Sequence, residues 1–527
     1  MRLTSAQIDR ACGAVLGAAT GDALGAGYEF GCAAVGPEGP GMIGGGLGNF
    51  APGEWTDDTA MTWPVLAAVA KGADLASPET LDEVAQGFLD WYASGPADIG
   101  TQTRQVLSSL RHTSPRHASP REELALQASR RESLRDGAGA PPTRNVGPTQ
   151  GPDESLATRM TQAAADLHAR TGRTGGNGSL MRTSPVALAH LDDPQRLTAA
   201  AEAVSALTHT DERAGQACAL WSQAIRHAVL GGMLDVRVGL PYLSGEAQAF
   251  WTERIEEAEA QDPATFTPNG YVVTAFQAAW SAIRHTPVPD EMPCLHLQDS
   301  LDTAIRIGND TDTVAAIAGG LLGARWGASA VPAEWRRIVH GYPGRTAEDL
   351  VEAATLAVRG GRPNAYGWPG VERIDYHQAR RPVLVRHPFD NGVWLGNVLA
   401  LDELPEKITA VVSLCLTGSE QVPAGVVHVP FRLIDEPGAE ANPNLDAVLA
   451  DAARTVGSLR AEGHRVLVHC VAAQSRTPTV GIAHALELGV DLETATREVV
   501  AALPEASPNR GFRAALGRYA RGISGRR

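Results

Sequence analysis

Two short stretches carry the densest chemistry in the chain. Thr56-Asp57-Asp58-Thr59 and Asp310-Thr311-Asp312-Thr313 lie about 250 residues apart, and each sets paired carboxylates and hydroxyls at the start of an apolar run. One such run reads as an ordinary helix start, because acids and hydroxyls satisfy free N–H groups there and complement the helix dipole. Two of them suggest a metal pair. Asp57, Asp58, Asp310 and Asp312 are compact hard ligands, and Thr56 and Thr313 add neutral oxygens, a set that suits two Mg²⁺ or Mn²⁺ ions better than zinc. Carboxylates this dense would repel one another strongly without cations among them.

A third stretch points to different chemistry. From Val466 to Thr477 a strand-like run leads to Cys470, then five residues, then Arg476 and an apolar helix. In that arrangement backbone N–H groups and the helix start face a phosphate, Arg476 grips it with two bonds, and a thiolate can attack phosphorus.

These groups need a scaffold. Thr4 to Ala26 is small and apolar at helical spacing, and its small residues would let another backbone approach closely. It delivers Glu29 to a Gly-rich loop, Gly31 to Gly53, that ends at the first acidic stretch. Helical patterns follow at Met61 to Ala70, at Leu81 to Trp91, and in five segments between Leu197 and Ile307. Arg111 to Met160 interrupts them. It holds no aromatic residue and is dense in Arg, Ser, Pro and Gly, so it buries too little to offset its ordering entropy. A flexible insertion at about 111–160 is expected, with room for a short helix at Arg121 to Arg135.

Few β-rich runs occur before residue 360, so residues 1–362 are expected to be nearly all helix. The aperiodic Gly, Pro and Arg-rich passage at 363–381 reads as a linker. From 382 to 527, β-branched runs at Val383 to Val385, Ile408 to Leu416, Val426 to Phe431 and Val466 to His469 alternate with helical ones, which implies an α/β domain. The expected fold class is therefore multi-domain, all-α followed by α/β.

Composition bounds the function. With 527 residues, 43% of them hydrophobic, the chain can fill two or more cores. A net charge of −15 disfavours bulk nucleic acid as a partner. The basic end from Asn509, with six arginines and no acid, reads as a solvated terminal helix and tail. Lys71 and Lys407 are the only lysines and neither follows a Gly-x-x-x-x-Gly pattern, which excludes Walker-type nucleotide hydrolysis. The six cysteines lack paired spacing, so neither a disulfide framework nor a thiolate zinc site is expected. No signal-peptide-like start or membrane-length apolar run is present, and a cytoplasmic protein without a membrane partner is the expectation.

Seven motifs in order resemble the ADP-ribosylglycohydrolase family. They are Gly21-Asp22-Ala23-Leu24-Gly25 with Glu29-Phe30, then Trp55-Thr56-Asp57-Asp58-Thr59, Asp98-Ile99-Gly100, Gly176-Asn177-Gly178-Ser179, Met181-Arg182, Thr208-His209 and Asp310-Thr311-Asp312-Thr313. The resemblance runs from about residue 8 to 345 and implies an all-helical fold around a binuclear Mg²⁺ or Mn²⁺ centre. It implies release of ADP-ribose from modified proteins or small acceptors. Thr56, Asp57, Asp58, Asp310, Asp312 and Thr313 match metal ligands, Glu29 an acid/base carboxylate and Asp98 a catalytic aspartate. A glycosidic bond needs one group to protonate the leaving atom and another to activate water, so two carboxylates form a natural pair. Gly176, Asn177, Gly178 and Ser179 could cradle a diphosphate on backbone N–H groups, with His209 and Gly100 as further substrate contacts.

Residues 382 to 516 resemble the cysteine-dependent dual-specificity phosphatases. That likeness assigns Cys470 as nucleophile, Arg476 as phosphate grip and Asp435, 35 residues upstream of the thiol, as general acid toward a phosphorylated substrate. Arg510, in Pro508-Asn509-Arg510-Gly511-Phe512, matches the pattern after the last long helix. Ala473 departs from the family's usual glycine, and a Cβ at a positive-φ position would strain the loop. An inactive phosphate-binding module is the alternative reading of this region.

Overall fold

The structure, a computed structural model, describes residues 1–111, 154–503 and 505–524. The possible helix at Arg121 to Arg135 and most of the expected insertion lie outside those residues. The helical part contains α1 (Ser5–Gly25), α2 (Asp57–Ala70), α3 (Pro78–Ala93), α4 (Thr101–Arg111), α5 (Leu156–Thr171), α6 (Ser184–Ala189) and α7 (Pro194–Ala206). It continues with α8 (Glu212–Gly231), α9 (Gly245–Ala260), α10 (Val272–His285), α11 (His296–Arg306), α12 (Thr311–Trp326), α13 (Ala333–Arg336) and α14 (Ala347–Ala357). A two-residue antiparallel pair, β1 (His340–Gly341) with β2 (Arg345–Thr346), is its only sheet among the described residues.

Helices α1 and α12 form the spine, and glycine explains how closely they lie. A Cβ on Gly13 would sit 2.2 Å from the Gly323 carbonyl oxygen, on Gly17 2.3 Å from that of Gly319, and on Gly21 2.1 Å from that of Ala315. This stripe repeats every four residues, one face of a helix, so the backbones touch. One end of the pair brings Asp22 beside Asp312; the other carries Asp9 and Trp326. Gly17→Ala forces a methyl into backbone and is expected to lower unfolding free energy by about 1–3 kcal/mol in urea titrations.

The insertion ends earlier than composition suggests. Helix α5 starts at Leu156, capped by the Ser155 side chain and tied to α3 through the Ala157 N–H on Asp82 at 2.7 Å. Met160 is fully buried. Ala157, Met160, Ala164 and Leu167 already follow helical spacing, and that pattern outweighs the polar composition around them. Helices α4, α6, α13 and α14 are likewise not foreseen.

The second part is a five-stranded sheet in the order β3-β4-β7-β5-β6, formed by β3 (Leu384–Arg386), β4 (Val393–Asn397), β5 (Ala410–Ser413), β6 (Val427–Pro430) and β7 (Val466–Cys470). The pairings are parallel except that of β3 with β4. Against it pack α15 (Leu445–Ala461), α16 (Arg476–Glu487), α17 (Leu492–Ala502) and α18 (Arg510–Ser524). Strand β4, not foreseen, is buried throughout although Gly396 and Asn397 end it. Helix α18 exists but is not simply solvated: Phe512, Ala515, Leu516 and Tyr519 are buried in the core. Residues 363–381 are no slack tether, because Ile374 and Tyr376 pack with Trp394 and Val411 of the sheet and with Val398 just after β4. Among the described residues no helix is long and apolar enough to cross a membrane.

Candidate active sites

The first site grows from the start of α2. Thr56 is the N-cap residue there, yet its side chain makes no cap bond. Asp22 of α1 does the capping instead, accepting from the N–H groups of Thr56 and Thr59 at 2.9 Å each and from Thr59 Oγ1 at 2.6 Å. The Thr56 hydroxyl is thereby free to donate to Asp58 Oδ2 at 3.0 Å, and Thr313 Oγ1 reaches the same oxygen at 3.4 Å.

Two trios of carboxylates result. Asp22, Asp58 and Asp312 each place an oxygen within 4.8 Å of the others, and Glu29, Asp310 and Asp312 do the same, so Asp312 belongs to both. Glu29 arrives on a kink after α1. Its neighbour Phe30 has φ +47°, and the Phe30 N–H donates to the Asn309 carbonyl at 2.7 Å, which straps this loop to the residue before Asp310. Asp310 is fixed by Asn177 Nδ2 at 2.8 Å, while its own N–H donates to Asn269 Oδ1 at 3.0 Å. Asp57 stands outside both trios and accepts from the Gly100 N–H at 3.2 Å. Half-buried Asp98 accepts from the Ile99 N–H at 2.7 Å, and its charge reaches both Glu29 and Asp57.

The electrostatics follow from that crowding. Burial first and neighbouring carboxylates second raise Glu29 to about 8. The same causes lift Asp57 to about 7, whereas Asp22 goes to about 6 through burial, opposed by its threonine hydrogen bonds. Asp58 and Asp312 are pushed well above the usual carboxylate range by burial and by Asp22 or Asp58 respectively. Asp58 Oδ1 and Glu29 Oε2 are buried without a hydrogen-bond partner. None of these carboxylates is in an ion pair with a basic side chain among the described residues. A donor set of hard oxygens, partly orphaned and short of positive charge, fits divalent cations.

The Gly-rich turn is engaged differently from a free phosphate cradle. The Asn177 N–H donates to the Gly270 carbonyl at 3.1 Å and its side chain holds Asp310, so the residue positions a carboxylate. The Ser179 side chain takes no part in such a cradle, because its hydroxyl accepts from Ser205 at 2.9 Å and from Cys218 at 3.4 Å inside the core. Gly176 and Gly178 wrap His209: a Cβ on either would lie 3.3 Å from its Nε2. Burial, reinforced by Arg182, keeps that imidazole neutral. Fully buried Arg182 braces the turn through the Gly178 carbonyl at 2.8 Å and Thr208 Oγ1 at 2.7 Å. Asp22 and Arg182 stand in the quoted motifs but receive no role from the sequence. An acid inside the small-residue run from Ala11 to Gly25 is the signal that marks Asp22.

The second site sits at the C-terminal end of central strand β7. Cys470 is buried there, and Arg476 opens α16 directly after the five intervening loop residues. Arg476 Nη1 donates to the carbonyls of Leu414 at 2.8 Å and Leu433 at 3.2 Å, and its buried Nε has no hydrogen-bond partner. Asp435 Oδ2 lies 3.8 Å from that Nε, and Asp435 Oδ1 accepts from Asn509 Nδ2 at 3.0 Å. The Asn509 N–H donates to Ser475 Oγ at 3.2 Å, so Asn509, not exposed Arg510, connects the last helix to the site. Buried His469 bonds Ser413 Oγ at 2.7 Å through Nε2, and burial holds it near 3, neutral. Ala473 adopts φ +57°, the left-handed conformation that the missing glycine would accommodate.

The ADP-ribosylglycohydrolase family model matches residues 3–364, and the chain belongs to that family. It is 28% identical over 334 residues to an ADP-ribosyl-dinitrogen reductase glycohydrolase of Rhodospirillum rubrum, across 62% of this chain and 89% of that protein. It is 26% identical over 337 residues to ADP-ribosylarginine hydrolase Tri1 of Pseudomonas putida strain GB-1, across 62% and 73%. The smaller α/β part is similar to dual specificity phosphatase 28 of mouse, at 29% identity over 132 residues, 24% of this chain and 78% of that protein.

Proposed function

We propose that the helical part hydrolyses the bond between ADP-ribose and an arginine side chain of a modified protein, using two Mg²⁺ or Mn²⁺ ions. The observation that carries this reading is the pair of carboxylate trios sharing Asp312. Asp22, Asp58 and Asp312 would hold one cation and Asp310 with Asp312 the other, with Thr56, Thr313 and Asp57 completing the oxygen set and Glu29 left beside the second cation for proton transfer. Bound cations orient hydroxyl groups and lower the pKa of water at the site. This chain's own residues supply the rest. Asn177 and Asn269 fix Asp310, Asp22 anchors the start of α2, and Glu29 with Asp98 would provide the proton donor and the base that a glycosidic bond needs. The acceptor follows the arginine hydrolase among the relatives. The test is an ADP-ribosylarginyl protein incubated with the purified chain: free ADP-ribose should form with Mg²⁺ or Mn²⁺ and stop with a chelator. Equal release in the chelated sample sinks the metal assignment.

The second site is read as a thiolate phosphatase acting on phosphate monoesters. Cys470 would attack phosphorus, the N–H groups of residues 471–476 and Arg476 would hold the equatorial oxygens, and Asp435 would protonate the leaving oxygen. Ala473 at φ +57° favours the rival, a phosphate-binding module without turnover. Substitutions of Cys470 and Ala473 separate the two.

A further inference from the structure

The loop that carries Asp435 is fastened from outside the α/β part. Residues 431–444, between β6 and α15, contain no helix or strand. At their entrance Arg336 of α13 donates from Nη1 to the Pro430 carbonyl at 2.7 Å, and its guanidinium lies 5.0 Å from the Phe431 ring centre. Arg432 comes next. Its Nε is 3.8 Å from Asp9 Oδ1 of α1, while its Nη2 donates to the Ala441 carbonyl at 2.9 Å and closes the loop upon itself. At the exit Asn444 Nδ2 donates to Ser329 Oγ at 2.9 Å and to the Trp326 carbonyl.

These anchors form one cluster. Asp9 is only 3% exposed and accepts from Ser329 Oγ at 2.6 Å and from the Ser329 N–H at 3.2 Å. Within the loop, Asn442 bonds both the N–H and the carbonyl of Ile434 at 2.8 Å, fixing the backbone directly before Asp435. A chain of contacts therefore runs from α1 through Arg432 and Asn442 to the carboxylate that faces Arg476. A loop without regular structure keeps one conformation only where such bonds over-determine it, and proton transfer depends on that placement.

We infer that Asp9, Ser329 and Arg336 of the helical part are positioning residues for Asp435, so that the acid of the second site is set by the first part of the chain. This rests on reading Cys470 as a phosphatase nucleophile. A general acid matters only when the leaving oxygen needs a proton, which separates positioning from ordinary structural support.

The test uses the full chain and two substrates, phenyl phosphate, a poor leaving group, and dinitrophenyl phosphate, whose leaving group departs unprotonated. Asp9→Asn should lower kcat/KM for phenyl phosphate by about tenfold, part of the roughly 10²–10⁴ that a placed acid supplies. The dinitrophenyl ester should change by less than about twofold. Ser329→Ala, a milder change in the same cluster, should give the same selective loss. Arg337→Ala is the control: it removes a pair with Glu462, at 2.8 and 2.6 Å, from the same interface without touching the loop, and both rates should hold. Equal losses on both esters in Asp9→Asn, or a selective loss in Arg337→Ala, would overturn the inference. Amide hydrogen exchange over 431–444 gives a second reading, faster in Asp9→Asn and unchanged in Arg337→Ala. Unchanged exchange in Asp9→Asn would also overturn it. If the wild type cleaves neither ester, the phosphatase reading fails and exchange alone decides the positioning.

Discussion

Asp312→Asn should lower ADP-ribose release by about three orders of magnitude, the scale of a lost electrostatic stabiliser, while making the metal-free chain more stable at pH 8. Both effects have one cause. Asp312 is the carboxylate common to both trios, so it is the one both cations would use, and the charges of Asp58, Asp310, Glu29 and Asp22 all crowd it. Without metal, the buried acids hold protons more tightly than they would in the unfolded chain, where ordinary values near 4 apply. Glu29 at about 8, Asp57 at about 7 and Asp22 at about 6 therefore stay protonated over a pH range in which the unfolded chain has already lost those protons.

The sign follows from linkage. The folded state binds more protons between about pH 4 and 8, so stability falls as pH rises through that window. Cations reverse this by favouring the charged forms. The melting temperature of the chelated wild type should drop from pH 5 to pH 8.5, and Mn²⁺ should raise it more at pH 8 than at pH 5. Asp312→Asn should flatten the chelated profile and lose most of the metal-induced rise. A chelated wild type that grows more stable toward pH 8.5 would refute the account, because the cluster would then have another source of positive charge.

Much of this site is legible in the sequence because its parts are local. Asp57, Asp58, Asp310 and Asp312 open helices, and helix starts leave a clear pattern of polar residues before an apolar run. What the sequence hides is the partnership across distance. Asp22 looks like an oddity inside α1 until the glycine stripe brings it against α12, and Asn269 lies in an irregular segment with no periodic signal at all. At Ser179 the motif speaks only for the backbone N–H groups and is silent on the side chain, whose hydroxyl the fold turns into the core. The α/β part is read well wherever β-branched runs mark strands. Strand β4 escapes because Gly396 and Asn397 interrupt its apolar pattern, although its Val393 to Asn397 register against Val466 to Cys470 makes it a neighbour of the strand that ends in Cys470. Polar composition likewise masked the start of α5.

Cys470→Ser should abolish aryl phosphate turnover, by about four orders of magnitude or more, while phosphate itself still binds. The serine hydroxyl occupies the same place at the end of β7 but is not ionised near neutral pH, so attack on phosphorus fails and the nest around Arg476 persists. The companion change is Ala473→Gly. At φ +57° an alanine Cβ crowds the following carbonyl, a cost of about 1–2 kcal/mol that glycine does not carry. Its removal should raise the melting temperature and tighten phosphate binding, because the loop N–H groups then point inward without strain. The combination discriminates between the two readings of this site. A Cys470-dependent rate in the wild type, increased by Ala473→Gly, marks a phosphatase working under backbone strain. No rate in the wild type and a rate in Ala473→Gly mean that one methyl group silences the chemistry while Cys470, Arg476 and Asp435 remain in place. No rate in either, with phosphate bound by both, leaves recognition as the work of this region.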